Sequence, residues 1–215
     1  LVDLADNVSG SEVEALYTNA IVVPAGSALT LNGLHLYTRA AVIEGVVANG
    51  SITLIPDSGA IDYASPTPGS LSVAGEVDEW AFFARAGQHL TAVVDSGSGS
   101  VLTPKLNWAQ IDLLDAAGNV LATRSSAASG QTFSLDDVAI PTDGNYRLRI
   151  KAPAGHLTAT GNYQVSVWNV TADNYDLQLN RQVTGQIENP YAVDRWTFSA
   201  TAGTQIRLDL VNRAN

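Results

Sequence analysis

Apolar and polar residues alternate along most of this chain, with a period of two. Six stretches carry the pattern most clearly: Leu34–Tyr37, Ser51–Ile55, Leu90–Val94, Gln110–Leu114, Tyr146–Ile150 and Tyr163–Trp168, with Thr30-Leu31 as a shorter piece. Period-two alternation gives a strand one buried and one wet face, as in antiparallel sheets. Turn residues punctuate these runs at Pro24-Ala25-Gly26, Asn32-Gly33, Asn49-Gly50, Ala117-Gly118-Asn119 and Asp143-Gly144-Asn145. The rhythm predicts a β-sandwich or a β-solenoid. Helical periodicity is nearly missing, and Ser11–Leu16 is the best short candidate for a helix.

The stretch from Asp57 to Ser70 is rich in Gly, Pro, Ser and Asp, which reads as a boundary. Residues 1–62 then form a β-rich front segment, 63–70 a linker and 71–172 a sandwich. Residues 173–215 are expected to start a second, truncated sandwich. That last expectation rests on an internal repeat. Asp78-Glu79-Trp80-Ala81-Phe82-Phe83-Ala84-Arg85-Ala86-Gly87 recurs 116 residues later as Asp194-Arg195-Trp196-Thr197-Phe198-Ser199-Ala200-Thr201-Ala202-Gly203. Trp and Phe two apart share a sheet face and fill a core, and the Ala-Gly pair is expected to close a hairpin. Two strands cannot close a sandwich. The expectation is that a parent chain continues past Asn215, or that these strands pair elsewhere in an assembly. The start at Leu1, without Met or a signal-peptide pattern, reads as a processed chain or a fragment.

The residues of the repeat carry a resemblance. Gly75, Asp78–Phe82, the Ala86-Gly87 turn, Ile111–Ala122, Asp143–Ile150 and Gly161–Val167 resemble the bacterial pre-peptidase C-terminal domain family. The resemblance implies a small β-sandwich used as an accessory domain in secreted enzymes and large surface proteins. It implies no catalytic residue. Some members of that family bind calcium, collagen-like matrices or polysaccharides. Residues 19–56, notably Ile21–Gly33 and Ile43–Val47, resemble rungs of a parallel β-solenoid in giant bacterial surface proteins, and a hairpin extension of the sandwich gives a similar pattern. The fold expected is all-β: an antiparallel sandwich, jelly-roll or Ig-like, behind a β-rich, solenoid-like segment.

Composition narrows the function. Apolar residues make up 46% of the chain and charged residues only 15%, against roughly 25% in an average globular protein. This argues against disorder. The formal charge is −10, so nucleic-acid partners are disfavoured. No apolar run approaches the ~18 residues of a membrane helix, so membrane insertion is not expected. Cysteine and methionine are absent, which excludes disulfides and thiolate chemistry. An acidic, Lys-poor, Cys-free chain fits an extracellular or cell-surface location.

Catalysis finds little footing. The histidines, His35, His89 and His156, have no nucleophile motif beside them, and Ser96–Ser100 matches Gly-x-Ser-x-Gly only as low complexity. The carboxylate pairs Asp78-Glu79, Asp112/Asp115 and Asp136-Asp137 read as solvated loop charges before they read as acid–base couples. Calcium is the sharper option, because a hard cation takes six to eight oxygens from such groups. Asp78, Glu79, Asp136, Asp137 and Asp194 are the candidate ligands, although no EF-hand spacing is present. Sugar stacking needs an exposed aromatic. Trp80 and Trp196 belong to the core pattern, so Trp108, next to Asn107 and behind the Gly/Ser loop, is the candidate platform. Tyr17, Tyr37 and Tyr191 are weaker ones. The sequons at Asn7, Asn49 and Asn169 would matter only in a eukaryotic chain.

The expected role is a non-catalytic structural or adhesive segment of a large bacterial extracellular protein, contacting polysaccharide, matrix or copies of itself. The alternative is a carbohydrate- or matrix-binding module appended to a secreted hydrolase.

Overall fold

The computed structural model describes residues 15–211, and among them the regular structure is β-strand apart from one short 3-10 turn at Ala154–His156. Five strands form the front segment: β1 (Ala15–Val23), β2 (Ala28–Thr30), β3 (His35–Ile43), β4 (Val46–Ala48) and β5 (Ser51–Leu54). β1, β3 and β5 lie parallel and in register, so that Leu16, Leu36 and Ile52 align, as do Tyr17, Tyr37 and Thr53. The β2 and β4 strands form a second parallel pair, with Leu29 opposite Val47. Parallel stacking of this kind is solenoid-like, not a hairpin. Val23, Leu31 and Leu36 are its buried apolar residues, and the Tyr17 and Tyr37 rings stack 5.0 Å apart. Of the expected Ser11–Leu16 helix, residues 11–14 lie outside the described residues, and Ala15-Leu16 opens β1.

Nine strands build the sandwich: β6 (Ser58–Ala60), β7 (Thr67–Leu71), β8 (Val77–Ala84), β9 (His89–Asp95), β10 (Gln110–Leu114), β11 (Val120–Ser125), β12 (Phe133–Ala139), β13 (Gly144–Lys151) and β14 (Gly161–Asn169). One sheet has the order β11-β10-β13-β8-β6 and the other β12-β9-β14-β7. Apart from β6, which runs parallel to β8, all neighbours are antiparallel. Alternate residues face inward: Trp80, Phe82 and Ala84 from β8, Leu148 and Ile150 from β13, Leu90, Ala92 and Val94 from β9, and Tyr163, Val165 and Val167 from β14. At about 25 cal/mol per Å² of apolar surface, such a two-layer interior is the main favourable term in folding. Tyr146 anchors the entry to β13, its hydroxyl donating to the Thr142 carbonyl at 2.7 Å, in the manner of a tyrosine corner.

Two expectations need correction. Ala86-Gly87 does not close a hairpin; it carries the chain from β8 in one sheet to β9 in the other. Gly87 has φ +82°, and its N–H donates to Ile140 O. Nor is the turn-rich stretch 63–70 a spacer. It holds most of β7, and Tyr63 bridges to Val167. The boundary is also crossed by Arg39, whose carbonyl accepts from Ser72 Oγ at 3.0 Å. Proline and glycine are tolerated there because β7 is an edge strand.

Beyond the sandwich, β15 (Asp173–Asp176) and β16 (Asp194–Thr197) form a small parallel pair. Among the described residues no helix is long and apolar enough to cross a membrane.

Candidate functional site

One end of the sandwich is built from three loops: the β9–β10 connection, the β11–β12 connection and the β13–β14 connection. Glycine lets them close on one another. A Cβ on Gly97 would lie 2.3 Å from Gly130 Cα, and one on Gly161 would lie 2.6 Å from the Lys105 backbone. Asp95 pins the Gly/Ser loop by accepting from the Gly97 and Ser98 N–H groups at 3.1 and 2.9 Å and from the Ser98 and Ser100 hydroxyls. Burial opposes its charge, but these hydrogen bonds outweigh that and hold its pKa below the usual range. Lys105 Nζ donates to Gly97 O at 2.8 Å.

The loops enclose an open groove of about 420 Å³. Trp108 is half-buried in its wall, and the exposed His156 ring lies flat on the indole, centroids 3.8 Å apart and planes 10° apart. Asn107 is exposed beside it with φ +62°, a left-handed conformation that asparagine tolerates. Its N–H donates to Ser96 O, its carbonyl accepts from Gly130 N, and its amide donates to Lys105 O at 3.1 Å. Ser129, Thr158 and Thr160 add hydroxyls to the lining. The groove is therefore an aromatic stack beside hydroxyl and amide groups, with the Lys105 side chain, bonded to Gly97 O, also in its lining.

The structure brings Trp108 and Asn107 together. His156, weighed in the sequence only as a catalytic histidine, is not marked there as a partner of Trp108. It lies 48 residues from Trp108, in a turn whose sequence carries no signal for stacking. The five carboxylates expected to hold calcium do not gather. Asp78 is buried between the sheets, its Oδ2 accepting from the Tyr163 hydroxyl at 2.6 Å and its Oδ1 from Asp57 N at 2.9 Å. Glu79, the next residue on β8, faces the opposite way and pairs with Arg147 and Arg149 at 2.8 and 2.7 Å. Asp136 and Asp137 form a bulge opposite Thr91, because Leu135 pairs with Ala92 and Val138 with Leu90. Asp136 is bonded to Arg124 at 3.0 Å and Asp137 to His89 at 2.7 Å. Alternation along a strand separates adjacent acids, and Asp78, Glu79, Asp136 and Asp137 each already have a protein partner. Among the described residues, Asp194 is the one of the five in a group whose possible ligand atoms converge: its own and those of Asp173 and Glu188 lie within 4.8 Å of one another.

Two further acids escaped the sequence reading. Asp57 and Glu76 are buried near Asp78. Burial raises the pKa of all three, and Asp78 reaches about 7 because Asp57 and Glu76 add their negative charges to its desolvation. Trp80 Nε1 donates to the Tyr163 hydroxyl at 3.0 Å, completing a polar cluster inside the core. This cluster is closed off between the sheets, away from the groove.

No protein-family profile matches the chain, and no curated protein matches it. Among solved structures, it is similar to the pre-peptidase C-terminal domain of a collagenase from Bacillus anthracis, with 17% identity and a TM-score of 0.35 over 54% of this chain and 98% of that one. A periplasmic inhibitor of g-type lysozyme from Aeromonas hydrophila shows 14% identity and a TM-score of 0.36, covering 52% and 96% of the two chains. A carbohydrate-binding module solved with calcium and xylotriose shows 12% identity and a TM-score of 0.31, covering 50% and 88%. The similarity is one of β-rich architecture.

Proposed function

We propose that this chain is a non-catalytic, extracellular binding segment whose groove at Trp108 and His156 takes up a neutral polysaccharide. The observation that carries this reading is the stacked indole–imidazole pair in an open groove lined by Asn107, Ser129, Thr158 and Thr160. Pyranose rings present C–H faces to aromatic surfaces and hydroxyls to neighbouring donors and acceptors, which is the chemistry this groove offers. The chain's charge of −10 favours a neutral glycan over an acidic one. The Asp143-Gly144-Asn145-Tyr146 signature at the start of β13 supports reading the sandwich as an accessory domain of the pre-peptidase C-terminal kind. The solenoid-like front segment supports a place within a longer surface or secreted protein, where it would act as a spacer.

Isothermal titration against soluble neutral oligosaccharides tests the groove. Trp108→Ala and His156→Ala should each weaken binding at least tenfold, about 1.4 kcal/mol, with the melting temperature of His156→Ala unchanged. Binding that survives both substitutions would remove the groove from the account.

A further inference from the structure

The three loops around Trp108 differ in charge from the rest of the chain. Residues 96–109, 126–132 and 152–160 contain Lys105 and His156 and no other ionisable side chain, and none of the chain's 21 acids lies in them. Both Lys105 and His156 line the groove. The charged residues that flank the loops are already engaged. Asp95, just before the first loop, is turned onto donors from Gly97, Ser98 and Ser100. Lys151, just before the third, is paired with Asp112 at 2.7 Å.

Lys105 Nζ gives one donor to Gly97 O at 2.8 Å, and an ammonium has two more to offer. His156 is exposed, and its ring is held flat on the indole of Trp108 at 3.8 Å. Histidine is the side chain that changes charge between about pH 5 and pH 8. Protonation turns both ring nitrogens into donors. It leaves the stack in place, because a cation is attracted to an indole face. The groove then presents two cations beside an aromatic stack, with no carboxylate in the three loops to neutralise them. The net charge of −10 opposes an acidic glycan at a distance, but exposed charges are screened over about 8 Å at physiological ionic strength. At contact the charges of the groove itself decide.

We infer that protonation of His156 adds a second ligand class to this groove: a carboxylated sugar, a uronic acid unit whose carboxylate accepts from the imidazolium and from the Lys105 ammonium. The inference rests on reading the groove as a glycan site. Hydrogen bonds between ionised partners are shorter and stronger than those a neutral hydroxyl makes, so the uronate gains where a neutral sugar does not.

The test is a titration of the whole chain with methyl glucoside and methyl glucuronide at pH 8 and pH 5.5, followed at the Trp108 indole N–H signal. The two probes differ only at C6, a hydroxymethyl group against a carboxylate. The expected result is a glucuronide Kd at least tenfold lower at pH 5.5 than at pH 8, with the glucoside Kd changing less than threefold. Lys105→Gln should weaken glucuronide binding at both pH values. His156→Phe, which keeps a ring for the indole but cannot take a proton, should leave its two glucuronide affinities within twofold of each other. Equal glucuronide affinity at the two pH values in the wild-type chain overturns the inference, as does a pH gain that survives His156→Phe. Glucoside binding without glucuronide binding at pH 5.5 overturns it too, and leaves the neutral-glycan reading standing. Glucuronide binding at pH 5.5 without glucoside binding at either pH supports it and counts against the neutral reading. A Trp108 signal that neither sugar moves removes both.

Discussion

Asp78 shows how much one buried side chain can set. It is wholly inaccessible and has two donors but no cationic partner, so desolvation dominates and its pKa rises to about 7. An acid with a raised folded-state pKa stabilises the fold below its unfolded value, and that stability is lost as pH rises through the folded value. Between about pH 4 and pH 7 the unfolded chain ionises at this position while the folded chain resists, at a cost on the order of 4 kcal/mol at most. Thermal melts of wild type and Asp78→Asn across that range should therefore diverge in favour of the variant as pH rises, then run parallel above about pH 7. A constant difference across the range would show that Asp78 ionises normally. Tyr163→Phe should destabilise by about 1–3 kcal/mol in denaturant titration, because Trp80 Nε1 loses its acceptor and Asp78 a donor. The sequence shows Trp80 as a core residue through its alternation with Phe82. It does not show that Tyr163, 83 residues away, completes the bond, because pairing between sheets leaves no local trace.

At the scale of elements, local pattern and long-range pairing part company. β13 and most of β14 are read directly from alternation, since buried positions alternate there with partly exposed ones, whereas β10 alternates in sequence but buries Asp112 and Leu114 as well as Ile111 and Leu113. β6 and β7 are hidden under Gly, Pro and Asp, residues that usually end strands but are tolerated at the two sheet edges. The β8–β9 turn reads as a hairpin because its Ala-Gly chemistry is the same whether the chain stays in a sheet or crosses to the other. The groove depends on loop closure in the same non-local way. Gly161 has φ +135° and meets the Lys105 backbone, so Gly161→Ala should destabilise the sandwich and loosen the Trp108 loop. Faster amide hydrogen exchange across residues 104–109 would register this, and unchanged exchange there would refute it. The outward pair of Glu79 with Arg147 and Arg149 is partly solvated, so Glu79→Gln should cost only about 1 kcal/mol in chemical denaturation.

Across the described residues, the chain passes from stacked parallel rungs to a largely antiparallel sandwich and then to the short parallel pair of β15 and β16. The all-β class follows from the period-two pattern, and the parallel arrangement of β1, β3 and β5 agrees with the solenoid-like reading of residues 19–56. The calcium set was the least legible feature. Acids adjacent in sequence, such as Asp78 and Glu79, point to opposite sides of a strand, and acids that do meet, such as Asp173 and Asp194, are 21 residues apart. Trp108 and Asn107 stand out in the sequence as a tryptophan and its neighbour outside the alternating core pattern, behind a Gly/Ser loop; that they line one groove with His156 depends on loop closure, which leaves no local trace. The most direct measurement of the function proposed for this groove uses the indole N–H signals of the four tryptophans in a proton–nitrogen correlation spectrum, titrated with neutral oligosaccharides. The expected result is a saturable shift of the Trp108 signal, together with the His156 ring protons, while Trp80, Trp168 and Trp196 stay in place. A Trp108 signal unmoved by every neutral glycan tried, or shifts confined to the other three indoles, would contradict it.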